Sequence, residues 1–354
     1  MKYYYDKKYE FFEKFDPKTG FFVRTGIYED GKDTGVDPFR RSFPSLLDVG
    51  IMGDCKNKHN CTVGCYQGKI KKPNMALENF KSIIDQSKGK TWECALGGFG
   101  SPNEHEDFVE IVKYARENGV VPNYTTSGIE LTEDQVKATK DYCGAVAVSW
   151  YKQKFSYEAI DKFLAAEIKT NIHYVLGRDS IDEAISLLEN NGFPKDINAV
   201  IFLLYKPVGC VKDNILEFND PRVKTFFKLI DNPAVSHKIG LDACCVPGVI
   251  NFTKNIDLQS TIPCDGASFS AYITPDMFML PCSFDNQKME YATDLNKLTI
   301  EEAWESESFE RFRLYHKDSC PSCKQQNDCR GGCPIAREIN LCQRSELSYA
   351  KDLD

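Results

Sequence analysis

From Ser45 to about Lys206 the chain alternates short β-rich runs with amphipathic stretches of helical period, and this rhythm restricts the fold more than any other feature. Strand signals fall at Leu46–Met52, Trp92–Gly97, Pro122–Thr126, Ala145–Trp150, Thr170–Leu176 and Ala199–Tyr205. Several are nearly continuous apolar runs, the pattern of strands covered on both faces. Helical patterns fill the gaps at Met75–Gln86, Glu106–Glu117, Glu133–Tyr142, Tyr157–Ala165 and Ser180–Asn190, and Pro221–Asp231 closes a sixth unit. Asn118-Gly119 and Asn191-Gly192 read as helix stops; Ser180 with Glu183, and Thr132 with Gln135, read as capping boxes. Six β-α units in series predict an α/β fold, a partial (β/α)6 TIM-like barrel with right-handed crossovers.

Near residue 234 the character changes. Pro, Gly, Cys and Asp become more frequent, a hairpin is predicted at Ser268–Pro281, and only Ile300–Tyr315 is strongly helical. A loop-rich segment of this kind needs staples, and metal clusters can supply them. The expected organisation is an N-terminal extension (1–44), a barrel (45–233) and a cysteine-rich C-terminal domain (234–354). In the extension, Phe11, Phe12, Phe15, Phe21 and Phe22 are expected to pack across the bottom or side of the barrel.

A formal net charge of −8 gives no general attraction to nucleic acid. The N-terminus alternates aromatic and charged residues without the apolar core of a signal peptide, and no apolar run reaches the roughly 20 residues that span a bilayer. The expectation is a cytoplasmic protein without membrane partners, where disulfides rarely persist. Fifteen cysteines, an odd number, also defeat an all-disulfide framework.

The cysteines are grouped. Cys320, Cys323, Cys329 and Cys333 follow the spacing C-x2-C-x5-C-x3-C, and Cys342 comes after them. Thiolates at this density are ligands for a soft metal centre. Cys55, Cys61 and Cys65 lie directly after the first strand, where the loops of a parallel barrel build the active face. Three thiolates leave one iron of a [4Fe–4S] cluster open to a small molecule. Structural zinc is the alternative for both groups, with His59 as a fourth ligand to the N-terminal trio. Cys94, Cys143 and Cys210 read as buried thiols, and His105 and His173 as structural histidines. Tyr151 and Lys206, at strand ends facing the presumed site, suit either substrate contact or packing.

Taken together, these motifs resemble the radical S-adenosylmethionine (SAM) enzymes, specifically those with a C-terminal SPASM domain, over roughly residues 45–345. The pieces are the three-cysteine loop ending in Cys65-Tyr66, the Gly97-Gly98-Phe99-Gly100-Ser101-Pro102 turn after the second strand, and Thr125-Thr126-Ser127-Gly128 after the third. Val148-Ser149 ends the fourth strand, and the run from Cys320 to Cys342 completes the set. The resemblance implies that Cys55, Cys61 and Cys65 hold a cluster whose open iron takes the amino and carboxylate groups of SAM. Tyr66, Gly97, Gly98, Phe99, Ser127 and Ser149 would then contact SAM. It also implies two auxiliary clusters, for three [4Fe–4S] clusters in all. Cys320, Cys323, Cys329 and Cys342 would hold one; Cys333, Cys264 and Cys282 would hold the other, with Cys244 or Cys245 as its fourth ligand or an open position.

The chain departs from the family pattern in three places. The loop spacing is five then three residues instead of three then two, an insertion that costs little if the thiols converge. Ser101 stands where an acidic residue is common, which leaves one SAM amino contact to backbone or to Glu104. Met277 stands where a glycine often sits. The activity implied is reductive cleavage of SAM to a 5′-deoxyadenosyl radical that abstracts hydrogen from a peptide or protein, giving a crosslink or an oxidised side chain. Flavodoxin or ferredoxin would donate electrons. The alternatives are a small-molecule radical SAM dehydrogenase or epimerase, and a non-enzymatic iron–sulfur or zinc protein.

Overall fold

The computed structural model describes residues 1–56, 71–208, 213–236, 239–318 and 320–342. Six parallel strands form its centre: β6 (Leu46–Met52), β7 (Glu93–Gly98), β8 (Val121–Thr126), β9 (Val146–Ser149), β10 (Thr170–Leu176) and β11 (Ala199–Leu204). Three antiparallel strands precede them, β1 (Lys2–Asp6), β2 (Phe11–Phe15) and β3 (Phe22–Arg24), then a short ribbon of β4 (Tyr28–Glu29) and β5 (Lys32–Asp33). Helices α1 (Leu77–Ser87), α2 (Phe108–Glu117), α3 (Glu133–Tyr142), α4 (Lys154–Ala165), α5 (Ile181–Glu189) and α6 (Pro221–Ile230) follow the six central strands in turn. Each buries an apolar stripe: α1 uses Phe80, Ile83 and Ile84, and α2 uses Phe108, Ile111, Val112 and Ala115. Burial of one such side chain contributes about 1.5–3 kcal/mol. The partial barrel expected from the strand–helix rhythm is therefore present.

The sheet does not stop at residue 234. After α7 (Pro233–Ser236), β12 (Ile239–Leu241) pairs in parallel with β11. Beyond α8 (Val246–Phe252), β13 (Ser270–Ile273) lies parallel to β6 and turns back through β14 (Phe278–Leu280) to β15 (Thr293–Asp294). The result is one sheet of ten strands, in the order β12-β11-β10-β9-β8-β7-β6-β13-β14-β15.

The meander β1-β2-β3 sits against the amino-terminal ends of the barrel strands. Phe15 stacks on Trp92 at 5.6 Å between ring centroids, and Trp92 Nε1 donates to Glu13 Oε2 at 2.7 Å. Phe11 and Phe15 are buried, while Phe12 and Phe21 remain exposed. The turn after β2 is held by Arg116, which donates to Pro17 O at 3.0 Å, and by Lys169, which donates to Thr19 O at 3.1 Å.

Two local expectations differ from the structure. Ser180 and Glu183 form no capping box: Ser180 Oγ donates to Val175 O and accepts from the Gly177 amide, and Glu183 turns to Tyr174 and Lys152. The stretch Ile300–Tyr315 is two helices, α9 (Ile300–Trp304) and α10 (Glu307–Asp318), rather than one. The break lets the fully buried Trp304 donate its indole N–H to Arg41 O at 2.9 Å, while Ser306 Oγ caps Phe309 N. The Thr132–Gln135 capping box is present, and Thr299–Glu302 forms another. Among the described residues no helix is long and apolar enough to cross a membrane.

Candidate functional site

The carboxyl ends of β6 to β11 surround a cavity of about 1270 Å³ that runs into the barrel. Its wall begins where β6 delivers the chain to Cys55. Lys72 N donates to Gly53 O at 2.8 Å, Met75 N to Ile51 O at 2.9 Å, and Gly53 N to Asn74 Oδ1 at 3.0 Å, so the loop carrying Cys55 is closed at its base. A Cβ on Gly53 would collide with the carbonyl oxygens of Lys72 and Pro73. Cys55 lines the cavity. Cys61, Cys65 and Tyr66 lie outside the described residues.

The glycine turn after β7 divides its work. A side chain on Gly97 would meet nothing within 4 Å, so this residue presents bare backbone to the cavity. Gly98 has φ +110° and a Cβ there would lie 2.5 Å from Met52 O. Its lack of a side chain therefore serves the contact with β6. Phe99 is fully buried and donates its amide to Met52 O at 2.8 Å.

Ser127 Oγ lies 2.9 Å from Ser101 Oγ, and Ser101 Oγ also accepts the Ser127 amide at 3.0 Å. Ser101 thus joins the turns after β7 and β8. Ser149, Tyr151 and His173 line the wall further round. His173 Nδ1 lies 3.2 Å from Thr125 Oγ1, and burial lowers its pKa to about 4, so it is neutral at physiological pH. His105, by contrast, packs away from the cavity, with Nε2 against Met75 O at 2.9 Å. Glu104 Oε2 is buried at the cavity and has no hydrogen-bond partner among the described residues. Desolvation raises its pKa, against the opposing field of Lys56. Asp48 enters the wall from β6, held up at about 7 by burial and by neighbouring Asp265. Nothing in the sequence around Asp48 marked it, because its partner is far along the chain.

Cys244, Cys264 and Cys282 form the opposite wall. Cys333 joins them by a hydrogen bond with Cys244; that bond and burial push the Cys244 thiol well up. Cys264 feels both Cys244 and Cys282, and burial raises it too. None of these four is in a disulfide. Cys245, one residue on, is fully buried in the core and faces Asp242. The short turn Ala243–Cys245 sends the two neighbours to different environments, which spacing alone could not resolve. Four half-buried thiols outside any disulfide, with the Lys206 ammonium beside Cys244 and Cys333, fit an iron–sulfur cluster, which takes them as thiolates.

A second set is Cys320, Cys329 and Cys342, whose fields reach one another. Arg330, Gly331 and Gly332 have φ of +56°, +77° and +87°. This turn directs the amides of Gly331 and Gly332 to the Cys329 sulfur, whose pKa burial still raises to about 11. Cys323 follows Cys320 in the same loop, its amide bonded to Cys320 O at 2.8 Å. Arg330 ties this region to the first thiol set by donating to Cys264 O at 3.0 Å and to Phe39 O at 3.3 Å. Among the described residues no three Cys, His, Asp or Glu side chains close on a point that would hold a single metal ion.

Lys206 lines the cavity beside the cysteine wall. Its Nζ donates to Asp242 Oδ2 at 2.7 Å and to Leu204 O at 3.1 Å, and lies 4.7 Å from the Phe284 ring centroid. Burial opposes its charge, but Asp242, Cys244 and Cys333 hold its pKa well above the ordinary lysine value. Cys94 and Cys143 are thiols that burial raises, Cys143 to about 12; Cys210 lies outside the described residues.

The family model of the SPASM iron–sulfur cluster-binding domain matches residues 264–330. Among solved structures the chain is similar to Streptococcus suis SuiB bound to precursor peptide SuiA, with TM-score 0.66 and 15% identity over 86% of this chain and 77% of that one. The SuiB complex with S-adenosylmethionine gives TM-score 0.66 at 16% identity, covering 86% and 78%. Native anSMEcpe with bound AdoMet and Kp18Cys peptide gives 0.62 at 16%, covering 86% and 92%. At these identities the likeness is one of fold. No curated protein matches by sequence.

Proposed function

We propose that this chain, which carries a SPASM iron–sulfur cluster-binding domain on the barrel of the radical SAM enzymes, is a radical SAM oxidoreductase that modifies a peptide. One observation carries the reading: Cys55 and the Gly97 turn face the same cavity as Cys244, Cys264 and Cys282. A cofactor-cleaving site and an electron-accepting site would thus share one substrate chamber. SAM held in that chamber by a cluster on Cys55, Cys61 and Cys65 would supply a hydrogen-abstracting 5′-deoxyadenosyl radical.

The residues have distinct tasks in this scheme. Cys55, Cys61 and Cys65 would hold the SAM cluster. Gly97 backbone, Ser127 and Ser149 would orient SAM, and the orphaned Glu104 Oε2 would accept from its ammonium group. Cys244, Cys264, Cys282 and Cys333 would hold one auxiliary cluster, and Cys320, Cys323, Cys329 and Cys342 the other. Asp48 holds or releases a proton near neutrality in the same wall. The turn between β2 and β3 lines the lower end of the cavity with Pro17, Thr19 and Gly20, where it would limit access of water to a reactive intermediate.

A peptide substrate is favoured by the size of the chamber and by the peptide complexes of SuiB and anSMEcpe. A low-potential flavodoxin or ferredoxin is the electron donor expected for such clusters. The test uses the full chain reconstituted anaerobically, with about 12 iron expected if all three sites carry four-iron clusters. Dithionite and SAM should then yield 5′-deoxyadenosine and methionine. Protein with its full iron complement that leaves SAM intact would refute the proposal.

A further inference from the structure

We propose that the outer edge of β12, with the groove beside it, binds an extended peptide substrate by strand addition; the proposal deepens the functional reading above and rests on it. β12 terminates the ten-stranded sheet. Ile239–Leu241 pairs with β11 on one side and, among the described residues, with no strand on the other. Unpaired N–H and C=O groups on a sheet edge are a template for another strand, and edges meant to stay bare are usually blunted by proline, lysine or a bulge. β12 is short, three residues, which is itself one way an edge is protected, but Ile239-Gly240-Leu241 contains no proline or lysine.

A cavity of about 690 Å³ lies along this edge, with Ile239, Leu241, Ile256 and Ile262 among its walls. Its far wall is built firmly. The Asp231 carboxylate accepts the amides of Lys254, Asn255 and Ile256 at 3.0, 2.7 and 3.0 Å, and Asp257 Oδ1 accepts that of Gln259 at 3.0 Å. Among the described residues no hydrogen bond joins this wall to β12, and Ile262 is 55% exposed.

Two features select the occupant. The groove shares Ala243 and Asp265 with the main cavity, so a chain lying on β12 is led to the wall that holds Cys244 and Cys264. Its lining also contains Asp231, Asp257 and Asp265 but no lysine or arginine among the described residues. An extended segment with apolar side chains next to lysine or arginine satisfies the edge, the groove and the charge together. Strand addition of this type takes affinity from main-chain bonds and specificity from side-chain pockets.

The experiment selects a displayed library of random twelve-residue peptides on the SAM-loaded, reconstituted protein. Enriched peptides are then measured on wild type, Ile262→Glu and Asp257→Lys. The expected peptides carry lysine or arginine, slow amide hydrogen exchange at residues 239–241, and bind both variants at least tenfold more weakly. SAM cleavage without peptide should be unchanged in both variants. Failure of wild type to cleave SAM would sink the functional reading alone, because peptide binding at β12 is read separately. Enriched peptides that bind the variants like wild type and leave residues 239–241 unprotected would overturn the proposal, as would a failure to enrich any peptide. A dimer that dissociates in Ile262→Glu would assign the groove to a second copy of the chain and also overturn it.

Discussion

Glu104→Gln should move affinity and stability in opposite directions. In the SAM-free protein Glu104 Oε2 is buried without a hydrogen-bond partner among the described residues, and burial raises the pKa of its carboxyl. For an acid with a raised folded pKa, the favourable contribution is complete below the unfolded value and is lost as pH rises through the folded one. At neutral pH the carboxylate is therefore a cost, and the neutral amide should make the SAM-free protein more stable. The proposed gain on binding is a charge-assisted hydrogen bond to the SAM ammonium group, worth about 1.5–3 kcal/mol. Its loss corresponds to roughly 10- to 150-fold in Kd. Anaerobic titration calorimetry with SAM measures the affinity, and urea unfolding at pH 5 and pH 8 measures the stability difference, which should be larger at pH 8. SAM binding within twofold of wild type would refute the reasoning, whatever happens to stability.

Other predictions concern the frame of the site. Cys244→Ala should remove about four iron per chain, whereas Cys245→Ala should keep all of it, because only Cys244 faces Cys333; iron and sulfide assays decide. Lys206→Met should destabilise the protein by about 1–3 kcal/mol in anaerobic urea unfolding by leaving the half-buried Asp242 without its cation; a change below about 1 kcal/mol would count against a structural ion pair. Gly53→Ala should open the base of the Cys55 loop. It should abolish SAM cleavage while auxiliary iron remains, and retained cleavage would show that the closure is dispensable.

The barrel was legible because strands covered on both faces announce themselves as apolar runs, and Leu46–Met52 and Thr170–Leu176 appear with the bounds their runs suggest. Boundaries shifted where a neighbour competed for the cap, as at Ser180, whose hydroxyl is drawn to Val175 O and Gly177 N. The split of Ile300–Tyr315 depended on Arg41 O, a carbonyl far away in sequence that captures the Trp304 indole. The meander of β1 to β3 was not read as strands, because its aromatic and charged residues alternate irregularly. At the site, motifs located Cys55, Gly97 and the cysteine run. Pairings between distant segments, such as Asp48 with Asp265 and Lys206 with Asp242, have no local signature. The choice between Cys244 and Cys245 likewise came from the turn that holds them.

Strands from beyond residue 234 occupy both flanks of the barrel sheet, β12 against β11 and β13 against β6. The cysteine-rich C-terminal segment is therefore not a detachable module. A chimera that exchanged it with a relative at residue 234 would inherit foreign staves on each side of the barrel and would have to rebuild two seams at once. Successful recombinants should keep β6 with β13, and β11 with β12, as inseparable parental couples.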